Sequence, residues 1–83
     1  MGTDDFLEEA KFELLAGRYD KAEKFLKRIL KADPKNIDAL FNLGILHEIK
    51  HQDSKAMEYF NQVLEIDPKH KEAREHAERL AEL

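Results

Sequence analysis

The residues best equipped to do chemistry in this sequence are His47-Glu48-Ile49-Lys50-His51. Two histidines at this spacing fall one turn apart on a helix, where they can hold Zn²⁺ while the glutamate between them activates water. Read alone, the pattern describes a metal-dependent hydrolase built on His47, Glu48 and His51. With 4 His and 11 Glu in the chain, however, composition alone gives such a match with a chance of about a few in a hundred, so it is weak evidence by itself. No third ligand follows at a recognisable spacing, because His70 and His76 lie beyond the Asp67-Pro68 break. The expectation is that His47 packs between helices, that His51 sits in a turn, and that no metal or cofactor is needed. Ser54, Thr3 and the carboxylates offer no recognisable nucleophile, base and orienter, and the isolated glycines make no phosphate-cradling loop. The chain is therefore expected not to be an enzyme.

Size points the same way. Eighty-three residues make one domain, 1–83, which buries roughly 60–65% of its unfolded surface and leaves little room for both a core and an enclosed active site. Lys+Arg number 14 against 18 Asp+Glu, a net charge of −4, with the signs interspersed. Such a surface lacks the basic cluster that DNA, RNA or anionic lipid rewards, so neither nucleic acid nor membrane is an expected partner. No apolar run approaches a bilayer span, and Met1-Gly2-Thr3-Asp4-Asp5 lacks the basic start and apolar centre of a signal peptide. A soluble, cytoplasmic protein is expected. Cysteine is absent, so stability must come from packing. The dense Glu/Lys/Arg surface further suggests a thermostable chain.

The elements that must position any site are all helical. Helix formers dominate, and strand formers never alternate with polar residues over a useful length. Gly17 marks a helix stop, Asp20 with Glu23 has the form of a capping box, Asn36 is an expected N-cap, and Asp33-Pro34 and Asp67-Pro68 break the chain. Helices are predicted at 4–16, 20–32, 37–50, 54–66 and 70–82. The Asp-Pro breaks are 34 residues apart, and so are Lys21/Lys55, Ala22/Ala56, Leu30/Leu64 and Lys35/Lys69, with Phe25/Tyr59, Leu26/Phe60 and Ile29/Val63 conservatively matched. Self-similarity at a fixed offset is a repeat, here a pair of helices too small to bury its apolar face without a neighbour.

Residues 37–70 resemble a tetratricopeptide repeat: Leu40, Leu43-Gly44, Ala56, Phe60 and Pro68 fit the family pattern, and His47 departs from it where an aromatic is usual. Residues 3–36 match through Phe6, Ala10, Ala22, Leu26 and Pro34, with Glu9 and Glu13 replacing Leu and an aromatic. Polar residues at those two places suit an end with nothing in front of it. Residues 71–83, with a narrow stripe of Ala73, Ala77, Leu80 and Ala81, read as a capping helix. An alternative makes the chain a stretch of a longer array. The resemblance implies an all-α, right-handed superhelical stack of two helix-turn-helix repeats plus the C-terminal capping helix.

On helix 37–50, Leu40, Leu43, Gly44 and His47 gather on one side, while Phe41, Ile45 and Ile49 form a second apolar stripe. Leu7, Leu14 and Leu15 lie in the matching sector of the first helix, around Lys11. In the family, first helices line a concave groove, and Leu7, Lys11, Phe41, Asn42, Ile45, Glu48 and Ile49 match its ligand-contact positions. The resemblance thus implies a non-catalytic module that binds a protein or peptide segment. Members that bind chaperone tails hold a dicarboxylate with Lys, Asn and Arg. Of the matching Leu7, Lys11, Asn42, Glu72 and His76, only Asn42 agrees, so an apolar or mixed segment fits better. Two alternatives stand beside this reading. The second stripe is buried core, between repeats or against the last helix, or it joins two copies in a homodimer.

Overall fold

A computed structural model describes residues 2–83; Met1, the first residue weighed in the signal-peptide reading, lies outside them. Among the described residues there are five α-helices and no strand: α1 (Thr3–Leu15), α2 (Tyr19–Ala32), α3 (Ile37–Ile49), α4 (Asp53–Ile66) and α5 (Lys71–Ala81). Every helix end lies within one residue of its predicted place.

The local chemistry at these ends repeats with the sequence. Asn36 Oδ1 accepts from the Ala39 amide at 2.9 Å to start α3, and 34 residues on His70 Nδ1 accepts from the Ala73 amide at 3.0 Å to start α5. The turns closing α1 and α3 are also equivalent. Arg18 N–H donates to Glu13 O and Gln52 N–H to His47 O, both at 2.8 Å, while Gly17 N–H reaches Leu14 O and His51 N–H reaches Glu48 O. This paired bonding returns the chain through one left-handed residue, Gly17 at φ 79° and His51 at φ 58°. The expected capping box at Asp20 does not form. The residue before α2 is Arg18, without a side-chain cap, which places Asp20 inside the first turn and leaves Glu23 facing His47 and Lys27.

Two cores result. Ala10, Ala22, Leu26, Ile29, Ala39, Leu43 and Leu46 join α1, α2 and α3, and Leu40, Ala56, Phe60, Val63, Ala73 and Leu80 join α3, α4 and α5. α3 belongs to both because it is buried on two sides, so the two helical pairs stabilise each other as stacked repeats do. Small residues set the approach. A Cβ added at Gly44 would lie 2.6–2.9 Å from the Phe60 ring, and the equivalent pair in the first repeat, Ala10 with Leu26, exchanges the larger small residue for the smaller large one.

Glu13 corrects one expectation. It does not face solvent as an end residue: only 8% of its surface is exposed, and Arg18 Nη1 donates to its Oε1 at 3.3 Å while its Oε2 has no hydrogen-bond partner. Glu9 is exposed, as expected.

Candidate functional site

The three groups of the His-Glu-x-x-His pattern do not share one face. His47 is buried, donates from Nδ1 to Gln52 Oε1 at 2.6 Å, turns Nε2 toward Glu23 Oε2 at 3.5 Å and stacks on Tyr59 with ring centroids 5.5 Å apart. His51 lies past the end of α3 in the left-handed turn and is exposed. Glu48 points to α5, where Oε1 accepts from His76 Nδ1 at 2.8 Å and Oε2 from Arg79 Nη2 at 2.5 Å. Burial by itself would raise the Glu48 carboxyl, but the hydrogen bonds from Arg79 and His76, with their charges, outweigh it and hold the group below the ordinary carboxylate range. Among the described residues no group of three His, Asp or Glu side chains is arranged to hold a metal ion.

The second stripe of α3 is divided by α5. Phe41 is half-buried, with its ring 5.7 Å from Phe60, 5.1 Å from His70 and 5.8 Å from His76. Ile45 is also half-buried and packs on the second core. One turn further along α3, Ile49 is 44% exposed. Asn42 is half-buried and donates from Nδ2 to Asp38 O at 2.8 Å, within its own helix. On α1, Leu7 leans on the first core and Lys11 is exposed. The candidate residues thus fall into two groups: Phe41, Ile45 and Glu48 touch the α4–α5 side, while Leu7, Lys11, Asn42 and Ile49 keep surface on α1 and α3.

Comparison with known proteins bears on what such a surface belongs to. The family model of the tetratricopeptide repeat matches residues 13–75. The chain belongs to the tetratricopeptide repeat family. It is also similar to a TPR repeat-containing protein of Methanocaldococcus jannaschii, at 36% identity over 69 residues, covering 75% of this chain and 12% of that relative. The chain therefore spans about an eighth of the length of the curated relative it matches.

Membership explains the departures at the buried polar positions. In this tetratricopeptide chain His47 replaces the family's aromatic residue and keeps a flat ring stacked on Tyr59, so it preserves the packing shape while adding a bond to the turn. Sequence reasoning missed the cluster of Glu48, His76 and Arg79. These residues are 28 and 31 positions apart, and no local spacing announces a contact of that range. The available signal was positional: His76 and Arg79 stand 34 residues after Asn42 and Ile45, so they occupy the same side of α5 that those residues occupy on α3. No described helix is long and apolar enough to cross a membrane.

Proposed function

We propose that this tetratricopeptide chain is a non-catalytic interaction module that binds a protein or peptide segment along α1 and α3. Leu7, Lys11, Asn42 and Ile49 form the contact, and Phe41, Ile45 and Glu48 support it from the α5 side. The observation that carries this reading is Ile49, a large apolar side chain 44% exposed at the open end of the stripe whose other members, Phe41 and Ile45, are half-buried. An apolar anchor, with the exposed Lys11 and the half-buried Asn42 elsewhere on the same two helices, suits a mixed segment, either extended or helical, with the charged rim steering encounter more than holding the complex. Self-association through the stripe has less surface to use, because α5 covers much of Phe41 and Ile45. The cytoplasm, where such modules meet soluble partners, remains the proposed location.

The test is to select binders from a displayed peptide library against the pure chain and to map the strongest by amide chemical shifts. Shifts concentrated at Leu7, Lys11, Asn42 and Ile49, with binding lost in Ile49→Asp, are expected. Shifts confined to α2 and α4 would refute the assignment.

A further inference from the structure

The 34-residue correspondence allows each surface of the first repeat to be judged by what covers its equivalent in the second. Leu43 and Leu46 of α3 are fully buried against α2, and His47 beside them is 3% exposed. Their equivalents on α1 are Glu9, Phe12 and Glu13. Glu9 is exposed and Phe12 is 62% exposed, whereas Glu13 lies buried in the wall of an open groove of about 340 Å³ between α1 and α2. That groove is also lined by Lys21, Lys24, Phe25 and Arg28. The buried Oε2 of Glu13 has no partner there, whereas His47 at the equivalent position receives one from Glu23 of the covering helix. An exposed aromatic and an unsatisfied buried carboxylate oxygen thus occupy a face whose counterpart is closed.

The charges on this face say what closes it. The acids Glu9 and Glu13 belong to α1 and the bases Lys21, Lys24 and Arg28 to α2, so the two signs are segregated onto neighbouring antiparallel helices. A two-fold axis running between the helices and parallel to them sets α1 of one copy over α2 of the other. Each acidic edge then meets the other copy's basic edge, so that the contact occurs twice, at matching heights above the turn, with the phenylalanines enclosed between them. We propose that the α1–α2 end face, centred on Phe12, Glu13 and Phe25, is an isologous interface occupied by the same face of a second copy of this chain. This surface is distinct from the segment-binding surface on α1 and α3, and the two readings stand or fall separately.

Sedimentation equilibrium of the full chain from about 10 μM to about 1 mM tests the proposal. Mass is expected to rise toward twice that of one chain, less steeply at high salt. Phe12→Glu should weaken the dimer at least about tenfold while leaving the helical signal intact, because the side chain is already largely in water. Glu9→Lys and Lys24→Glu should each weaken it a few-fold, and the two together in one chain should recover most of the loss. A single-chain mass at every concentration would overturn the proposal, as would a dimer indifferent to Phe12→Glu. A charge exchange that fails to recover association would overturn the two-fold arrangement, and a dimer lost instead in Ile49→Asp would move the interface to the stripe.

Discussion

Glu13 and His47 stand at the same place in successive repeats, and each bonds the side chain five residues on, Glu13 accepting from Arg18 and His47 donating to Gln52. They end in different states. His47 has neighbours on every side, with Tyr59 stacked on its ring and Glu23 supplied by the preceding helix, whereas Glu13 has a wall of protein behind it and a groove in front. The backbone of the two turns is the same down to the left-handed residue, which is glycine in one and histidine in the other. Fold is therefore carried by positions that recur, and the two ends of the stack differ where a recurring position changes its chemistry.

Exchanging residues between the repeats breaks this comparison most sharply at the tightest contact. Gly44→Ala installs the first repeat's residue against a fully buried Phe60 ring and should cost about 1–3 kcal/mol, read from the denaturation midpoint. Adding Phe60→Leu, which completes the first repeat's pair, should recover most of it. At Glu13 the expected sign is opposite: Glu13→Leu removes an unsatisfied buried oxygen and releases an already half-exposed Arg18, gaining about 1 kcal/mol in the same measurement. The turns give a reciprocal pair. His51→Gly should gain about 0.5–1 kcal/mol by relieving the left-handed strain, and Gly17→Ala should lose a similar amount.

An effect of the same size as at the turns concerns the tie from α3 to α5. Glu48→Gln should cost about 0.5–1 kcal/mol, since Arg79 is largely solvated. The folded carboxyl is held below its unfolded value, so its stabilisation is fully present above the unfolded pKa of about 4.3 and is lost as pH falls through the lower folded value. Melting from pH 7 to 3 should show an acid loss in the parent that is smaller in Glu48→Gln.

Helix positions were legible because their causes are local: Asn36, Gly17 and the two Asp-Pro breaks each act within a few residues. The repeat made the cores legible as well, since Ala22/Ala56, Leu26/Phe60 and Ile29/Val63 are buried in matching pairs. The site was less so. Periodicity places Phe41, Ile45 and Ile49 on one side of α3, but how far α5 covers each depends on where α5 docks, and its Ala-rich stripe fixes contact without fixing reach. The same limit hid the destination of Glu48. At Glu13 the polar side chain suggested solvent, but the salt bridge to Arg18 and the closeness of α2 hold it inside.

The claim that the open end of the α3 stripe is a binding surface is tested most directly by Ile49→Asp, with melting and peptide binding measured on the same preparation. Ile49 is already 44% exposed, so the melting temperature should stay within about 2–4 °C of the parent, while affinity for a selected segment falls at least about tenfold. Unchanged affinity, or a loss of binding that tracks a collapse in melting temperature, would contradict the account.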